Sequence, residues 1–424
     1  MKTSIPIIIL LIISTAFSQA QPVSRPFPQH VNYYRGSILP NHISQQVLDD
    51  SVRSFYDQWK EHYINTACNL DQYYVWFEET NSNKQCVSEG QGYGMIIVAL
   101  MAGYDTAAKT IYDGLFRYCQ SHPSTREPRL MAWAQFKDCK DVDGSSATDG
   151  DMDIAYSLLL ADKQWGSNGS INYLDEARKM ISAIMQLEIN RQTYSILLSD
   201  DVEDDSEDYF DTRTSDFMPA HFKAFKIATE DLHWSKVIDS NYMLFQHLQK
   251  QYSNEAGLFP DFIQHINSSA KPAHPRYLES RNDGLYNYNA CRLPWRIATD
   301  YLLHGDARSK EILGKINHWI RETTQNNPDN ISAGYTLDGN DLKTRDFEAL
   351  SFITPFAVSA MVDSKNQIWL NSLWDYVIHF NLESFDYYDN SIKMINLLLL
   401  SSNYWDPSDD FELTHTNLIG KKTK

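Results

Sequence analysis

An all-α fold in a single domain is what this sequence predicts, on three observations. Apolar residues recur at the three-to-four spacing of helices through most of the 424 residues. Strand-like alternation is sparse. No internal repeat of roughly 20–50 residues, no low-complexity linker and no shift in composition marks a second domain. The first helix, over 47–63, carries Leu48, Val52, Phe55, Tyr56 and Trp59 on one stripe. The apolar spacing then continues over 94–104 and 107–119, a short run at 154–160, and 173–188. The middle of the chain gives helices over 220–228, 232–251, 295–301 and 307–323. The last three fall at 351–362, 366–380 and 387–400. Loops rich in Gly, Asp, Asn and Pro separate them. A dozen such helices close naturally as a ring of pairs. That arrangement leaves a groove at one end, lined by loops and helix N-termini, and the loops are also where most of the aromatics fall.

The chain opens like a secretory leader. Lys2 precedes the apolar run 5–13, and Ser18-Gln19-Ala20 offers small residues for cleavage before Gln21. That run is far short of the roughly 20 residues a spanning helix needs. The expected organisation is a leader over 1–20 and one domain over 21–424, secreted and monomeric. A net charge of −18 argues against nucleic acid and anionic membranes as partners. The acidity peaks at 200–211, D-D-V-E-D-D-S-E-D-Y-F-D, which reads as a solvated loop or a surface that attracts a polycation; it lacks the Gly turn of an EF-hand. The five cysteines show no C-x-x-C spacing, so zinc and redox motifs are unsupported. Their pairing is not legible, and at least one thiol must stay unpaired within the chain. Asn168, Asn267 and Asn330 begin glycosylation sequons, which matter only in a eukaryotic host.

Two segments carry chemistry. Residues 147–165 read A-T-D-G-D-M-D-I-A-Y-S-L-L-L-A-D-K-Q-W, with Asp149, Asp151 and Asp153 directly ahead of an apolar run. Carboxylates there sit at a helix N-terminus, where the dipole tolerates negative charge. Upstream, Ser88-Glu89-Gly90-Gln91-Gly92-Tyr93-Gly94 sets a lone glutamate before three glycines and another helix. Glycoside hydrolysis needs one carboxylic acid to protonate the leaving oxygen and a second carboxylate that acts on water or the anomeric carbon. It also needs flat aromatic faces for sugar rings, and the chain is 13% aromatic, with 10 Trp and 25 Tyr. Taken singly, each aromatic reads as core packing and each carboxylate as a helix cap. Their clustering in Gly- and Asp-rich segments tips the balance.

Both segments resemble the hallmark segments of the family 8 glycoside hydrolases, and the second matches that family's signature at every constrained position. Agreement extends to Ser215-Asp-Phe-Met-Pro-Ala-His221, Gly257-Leu-Phe-Pro-Asp-Phe262, Asn289-Ala-Cys-Arg-Leu-Pro-Trp-Arg296 and Ala333-Gly-Tyr-Thr-Leu-Asp-Gly339. The resemblance implies an (α/α)6 barrel of twelve helices in six hairpins. It also implies endo-action on β-1,4-linked polysaccharides, inversion of the anomeric centre, and no metal or organic cofactor. Substrates in the family include cellulose, mixed-linkage β-glucan, xylan and chitosan.

Carried over by position, Glu89 matches the general acid, and Asp149 matches a residue that holds and distorts the sugar at the cleavage point. Asp151 and Asp153 read as structural. Many members carry an aspartate base where this chain has Asn289, and asparagine cannot take up a proton. A subgroup with Asn there uses a glutamate on a preceding loop. The matching loop here offers Glu279, with Asp283 as the alternative. An inverting pair would stand roughly 6.5–9.5 Å apart. Tyr93, Trp133, Tyr288, Asn289 and Arg292 are the expected substrate-binding residues, Trp133 as a stacking platform, and Asp216 is expected to support a loop. The expected function is a secreted, inverting endo-β-1,4-glycanase acting on cellulose or mixed-linkage β-glucan. A chitosanase and a glycan-binding protein without chemistry are the alternatives.

Overall fold

A computed structural model describes residues 23–79, 82–342, 349–382 and 386–409; the expected leader lies outside them. In chain order the α-helices of the described residues are α1 (Gln45–Tyr63), α2 (Ser88–Leu100), α3 (Ala108–Ser121), α4 (Thr148–Trp165), α5 (Tyr173–Leu187) and α6 (Pro219–Thr229). They continue as α7 (His233–Tyr252), α8 (Leu293–His304), α9 (Ala307–Thr324), α10 (Leu350–Ala360), α11 (Gln367–His379) and α12 (Tyr387–Leu400). Even- and odd-numbered helices differ in kind. Helix α10 buries every residue, α2 all but Glu89, α12 all but Tyr388, and α4 all but Asp162 and Lys163. Segments buried all round belong inside a fold. The odd helices bury one stripe: Leu48, Val52, Phe55, Tyr56, Trp59 and Tyr63 in α1, and Ile312, Leu313, Ile316, Trp319 and Ile320 in α9.

That division sets the architecture. The even helices pack side by side in the order α2, α4, α6, α8, α10, α12, and α12 packs back onto α2, closing an inner ring. Each odd helix covers the even helix beside it, with α1 lying on α12. One outer helix returns the chain between successive inner ones, so all six inner helices run the same way and their N-termini gather at one end. This is the (α/α)6 barrel. At the opposite end the start of the described chain crosses the ring. Ser24 N donates to Gln164 O at 3.0 Å, Phe27 N to Ala102 O at 2.7 Å and Val31 N to Ser402 O at 2.8 Å.

Among the described residues, seven strands of two to four residues form three small antiparallel sheets. The pair that matters for the groove is β1 (Lys84–Val87) with β2 (Ala134–Phe136), in the register Val87–Ala134. It runs directly into α2.

Helix α2 begins at Ser88 and α4 at Thr148, each a turn or more ahead of the apolar periodicity. The glycine-rich S-E-G-Q-G-Y-G is therefore helical, and Asp149, Asp151 and Asp153 lie within the first turns of α4 instead of before it. Glycine disfavours helix by about 1 kcal/mol; close packing overrides that here. A Cβ on Gly150 would stand 2.3 Å from Ser88 Oγ, and one on Gly92 would stand 2.7 Å from Asp153 Cβ. The two glycines let α2 and α4 touch backbone to backbone beside the groove.

Cys68 and Cys139 form a disulfide, while Cys86, Cys119 and Cys291 are buried thiols. Three thiols therefore stay unpaired, where the count alone required at least one. The disulfide closes a loop of sequence separation 71, which stabilises by roughly 4 kcal/mol on chain entropy alone. No described helix is long and apolar enough to cross a membrane.

Candidate active site

The groove, about 690 Å³, opens where the inner-helix N-termini converge. Glu89, Asp149, Glu279, Trp133, Tyr288, Asn289 and Arg292 all line it, with Phe77, Glu78, Glu79, Lys84, Arg213, Asp386, Tyr387 and Tyr388. Strand pairing delivers the first of these. Ser88 N donates to Trp133 O at 2.8 Å, so Glu89 and Trp133 are set against each other before either side chain is placed.

Glu89 is held from two sides. Tyr387 Oη, from α12 across the ring closure, donates to Oε1 at 2.7 Å, and Arg292 Nη1 donates to Oε2. Burial raises its carboxyl above the usual range and the Asp149 charge adds to this, against the opposing pull of Arg292. Asp149 goes the other way. Burial alone would raise it, but Arg213 and Arg292 outweigh that and hold it at about 2. Arg213 Nη2 lies 2.9 Å from Oδ1, and Arg292 Nη1 donates to Oδ2 at 2.9 Å. The helix N-terminus helps, through Gly150 N on Oδ1 at 3.0 Å. Two adjacent carboxyls are thus driven apart in acidity, which is the arrangement that separates an acid from a permanent anion.

The second half of the site hangs from Asn289. Its Nδ2 donates to Glu279 Oε2 at 2.7 Å, and its Oδ1 accepts from Arg292 Nη2 at 2.8 Å. Glu279 and Glu89 are therefore bridged through Asn289 and Arg292. Glu279 is exposed to solvent at the groove wall. Asp283 is not. It is 1% exposed, and its two oxygens accept from the backbone N–H groups of Leu278 (2.7 Å), Glu279 (3.0 Å) and Ser280 (2.7 Å). Asp283 shapes the loop that presents Glu279, with both of its oxygens engaged by backbone N–H groups. Asp261 does the same for the Asn289 turn, accepting from the N–H groups of Asn287, Asn289 and Ala290; burial pushes its carboxyl up to about 8.

Trp133 Nε1 donates to Asp143 at 2.8 Å, and Lys84 Nζ sits 4.4 Å from the ring centre. Tyr288 is 43% exposed and braced edge-on by Phe352 at 5.1 Å. Tyr93 departs from expectation. It is fully buried, is not among the lining residues, and its hydroxyl accepts from Arg292 at 3.1 Å. It supports the arginine from below instead of meeting a substrate. Asp216 accepts from Arg213 Nε at 2.8 Å and so orients the guanidinium that faces Asp149. Asp153 is structural as expected, paired with Arg296 Nη1 at 2.8 Å and His221 Nε2 at 2.9 Å. Asp151 also lies outside the groove.

Sequence reasoning missed Arg213, Tyr387 and Tyr388. The aromatic pair stands at a helix mouth in Asp386-Tyr-Tyr-Asp389, the same setting that exposed Glu89, and that signal went unread. The acidic run 200–211 contributes nothing to the groove lining. Its ends are buried rather than solvated: Asp200 holds Ser146 N at 2.9 Å, and Asp211 holds His265 N at 2.9 Å.

Three comparisons bear on this geometry. The model of the glycosyl hydrolases family 8 matches residues 37–402. A β-glucanase of Niallia circulans is 46% identical over 93% of this chain and 94% of its own length. An endoglucanase of Bacillus sp. (strain KSM-330) is 41% identical over 94% of this chain and 86% of its own length. Among solved structures, the β-1,3-1,4-glucanase of Paenibacillus sp. X4 superposes with a TM-score of 0.87 at 45% identity, covering 90% of this chain and 99% of that one.

Proposed function

The chain belongs to the glycosyl hydrolases family 8, and on that premise we propose that it is a secreted endo-glucanase cleaving β-1,4 bonds of mixed-linkage β-glucan with inversion. The observation that carries the chemistry is the opposed acidity of Glu89 and Asp149 around one arginine. Protonated Glu89 keeps its Arg292 contact on Oε2 and carries its proton on Oε1. Tyr387, now accepting, gives way there to the glycosidic oxygen. Glu279, held by Asn289, draws the proton from a water that attacks the anomeric carbon from the opposite face. Asp149 stays ionised, keeps Glu89 protonated and holds the sugar at the cleavage point. Trp133 and Tyr288 supply stacking faces on the groove wall. The β-glucanase and β-1,3-1,4-glucanase names of the relatives support the substrate. Export rests on the leader-like segment 1–20, and the Cys68–Cys139 disulfide suits an oxidising compartment.

Glu78, Glu79 and Asp386 make one end of the groove acidic, which favours a second reading on a cationic glucosamine polymer. Reducing-end release from barley β-glucan, carboxymethylcellulose, xylan and chitosan separates the two. β-Glucan is expected to be turned over fastest, with the α-anomer as first product by NMR. Chitosan as the preferred substrate, or binding without release of ends, would overturn the proposal. Glu89→Gln and Glu279→Gln should each lower kcat by about 10²–10⁴-fold with binding retained.

A further inference from the structure

Behind the Trp133 loop lies a set of buried carboxyls that the chemistry above does not use. Asp151 in α4 accepts Met131 N at 2.9 Å on Oδ1. Glu188, at the C-terminus of α5, accepts Ser146 Oγ at 2.6 Å on Oε1. Asp200 accepts Ser146 N at 2.9 Å and the Ser124 hydroxyl. Met131 and Ser146 are the two stems of the loop that carries Trp133, and the stems bridge at Ala132 and Ser146. The remaining oxygens, Asp151 Oδ2 and Glu188 Oε2, are buried without any other partner, and the two carboxyls are within hydrogen-bonding reach of each other. Two acceptor-only anions cannot satisfy one another; a carboxylic acid and a carboxylate can.

We propose that Asp151 and Glu188 share one proton and form a latch on both stems of the Trp133 loop, so that affinity for glucan falls when that proton leaves. The inference rests on the glucanase reading only in taking Trp133 as a wall of the substrate groove.

The surroundings oppose ionisation. Burial raises both carboxyls, Glu188 to about 8, and each is raised further by a neighbouring acid, Asp200 among them. Asp216 also faces Glu188, and the Cys119 thiol of α3 faces Asp151. Arg213, a cation on this side of α4, is committed to Asp149 and Asp216. Glu188 also caps a helix C-terminus, whose partial negative charge disfavours a carboxylate. Other charged groups touch the loop: His122 Nδ1 with Asp141 Oδ1 at 2.8 Å, Lys140 Nζ with Asp138 Oδ2 at 2.6 Å, and Asp143, which accepts from Trp133 Nε1 near Lys84. With the proton in place, one short bond ties α4 to the end of α5 beneath the stems. Without it, two anions repel beside Asp200, and the stems they hold move apart. The pair titrates as a unit.

The test is kcat and KM on barley β-glucan between about pH 5.5 and about pH 9, a span that brackets the ionisation. For the unaltered protein KM should rise at least about threefold toward the alkaline end. In Glu188→Gln, whose amide donates permanently to Asp151, KM should stay flat while the kcat profile is kept. In His122→Gln the rise should persist. Asp151→Asn serves if Glu188→Gln does not fold. Binding of a cello-oligosaccharide to the Glu89→Gln protein, followed by calorimetry, must weaken over the same range. A flat KM in the unaltered protein, a rise undiminished in Glu188→Gln, its loss in His122→Gln, or pH-independent binding would each overturn the latch. Absence of hydrolysis altogether would sink the glucanase reading instead.

Discussion

Asn289 is the residue at which this site is most open to a decisive substitution. Its amide donates to Glu279 at 2.7 Å while its carbonyl receives Arg292. Asn289→Asp keeps the arginine contact and places a second carboxylate against Glu279, and like charges so close cannot both ionise. The variant loses the amide donor to Glu279, so kcat/KM near neutral pH should fall by about tenfold or more, as read from steady-state hydrolysis of barley β-glucan by the two proteins. An unchanged kcat/KM would mean that the Asn289 amide does not hold Glu279 for its task. At this scale the sequence revealed the residues that sit in dense local motifs: Glu89, Asp149, Asn289 and Arg292. Arg213 and Tyr387 reach Asp149 and Glu89 from segments distant in the chain, Tyr387 across the ring closure and Arg213 from the short strand after the acidic run. Glu279 and Asp283 are indistinguishable as loop acids in a sequence. What separates them is that three backbone N–H groups converge on Asp283, a fact of loop geometry.

Among the elements, the contact between α2 and α4 carries Glu89 and Asp149 on facing first turns. Gly150→Ala would drive a methyl to 2.3 Å from Ser88 Oγ and 2.7 Å from the Ser88 backbone carbon. A backbone cannot yield as a side chain can. The expected cost is about 1–3 kcal/mol in urea unfolding, with a larger proportional loss of kcat, because Ser88 precedes Glu89. Unchanged kcat in a measurably destabilised variant would show that the helix contact does not set the acid's position. The helices themselves were legible from periodicity, and α12 matches its expected bounds, 387–400. The misplaced starts are instructive. Apolar periodicity starts α2 and α4 late because their first turns hold glycines and carboxylates in place of apolar residues. The pattern fails where the helix lines the groove.

For the molecule as a whole, the buried carboxyls fix how stability depends on pH. Glu188 and Asp261, each raised to about 8, hold protons in the folded state that the unfolded chain has released above about pH 4.5. Their contribution is therefore lost as pH rises from there through 8. Asp149, held at about 2, contributes stability above its ordinary value near 4 and loses it below. Tm should thus peak near about pH 4–5 and fall by a few degrees or more toward pH 8, with a shallower fall in Glu188→Gln. A Tm that climbs over that range would contradict the assignment. The closed ring was expected from the number of helices and from the family resemblance, but no sequence pattern says which neighbours meet where it closes. They are α12 and α2, the joint of the inner ring whose two helices are not linked in the chain through a single outer helix, and Glu89 spans it through Tyr387. The enzyme is in effect a hoop with its trigger set across the clasp. Rising urea should silence turnover before it diminishes the far-ultraviolet helical signal, because a clasp can part while every stave remains intact.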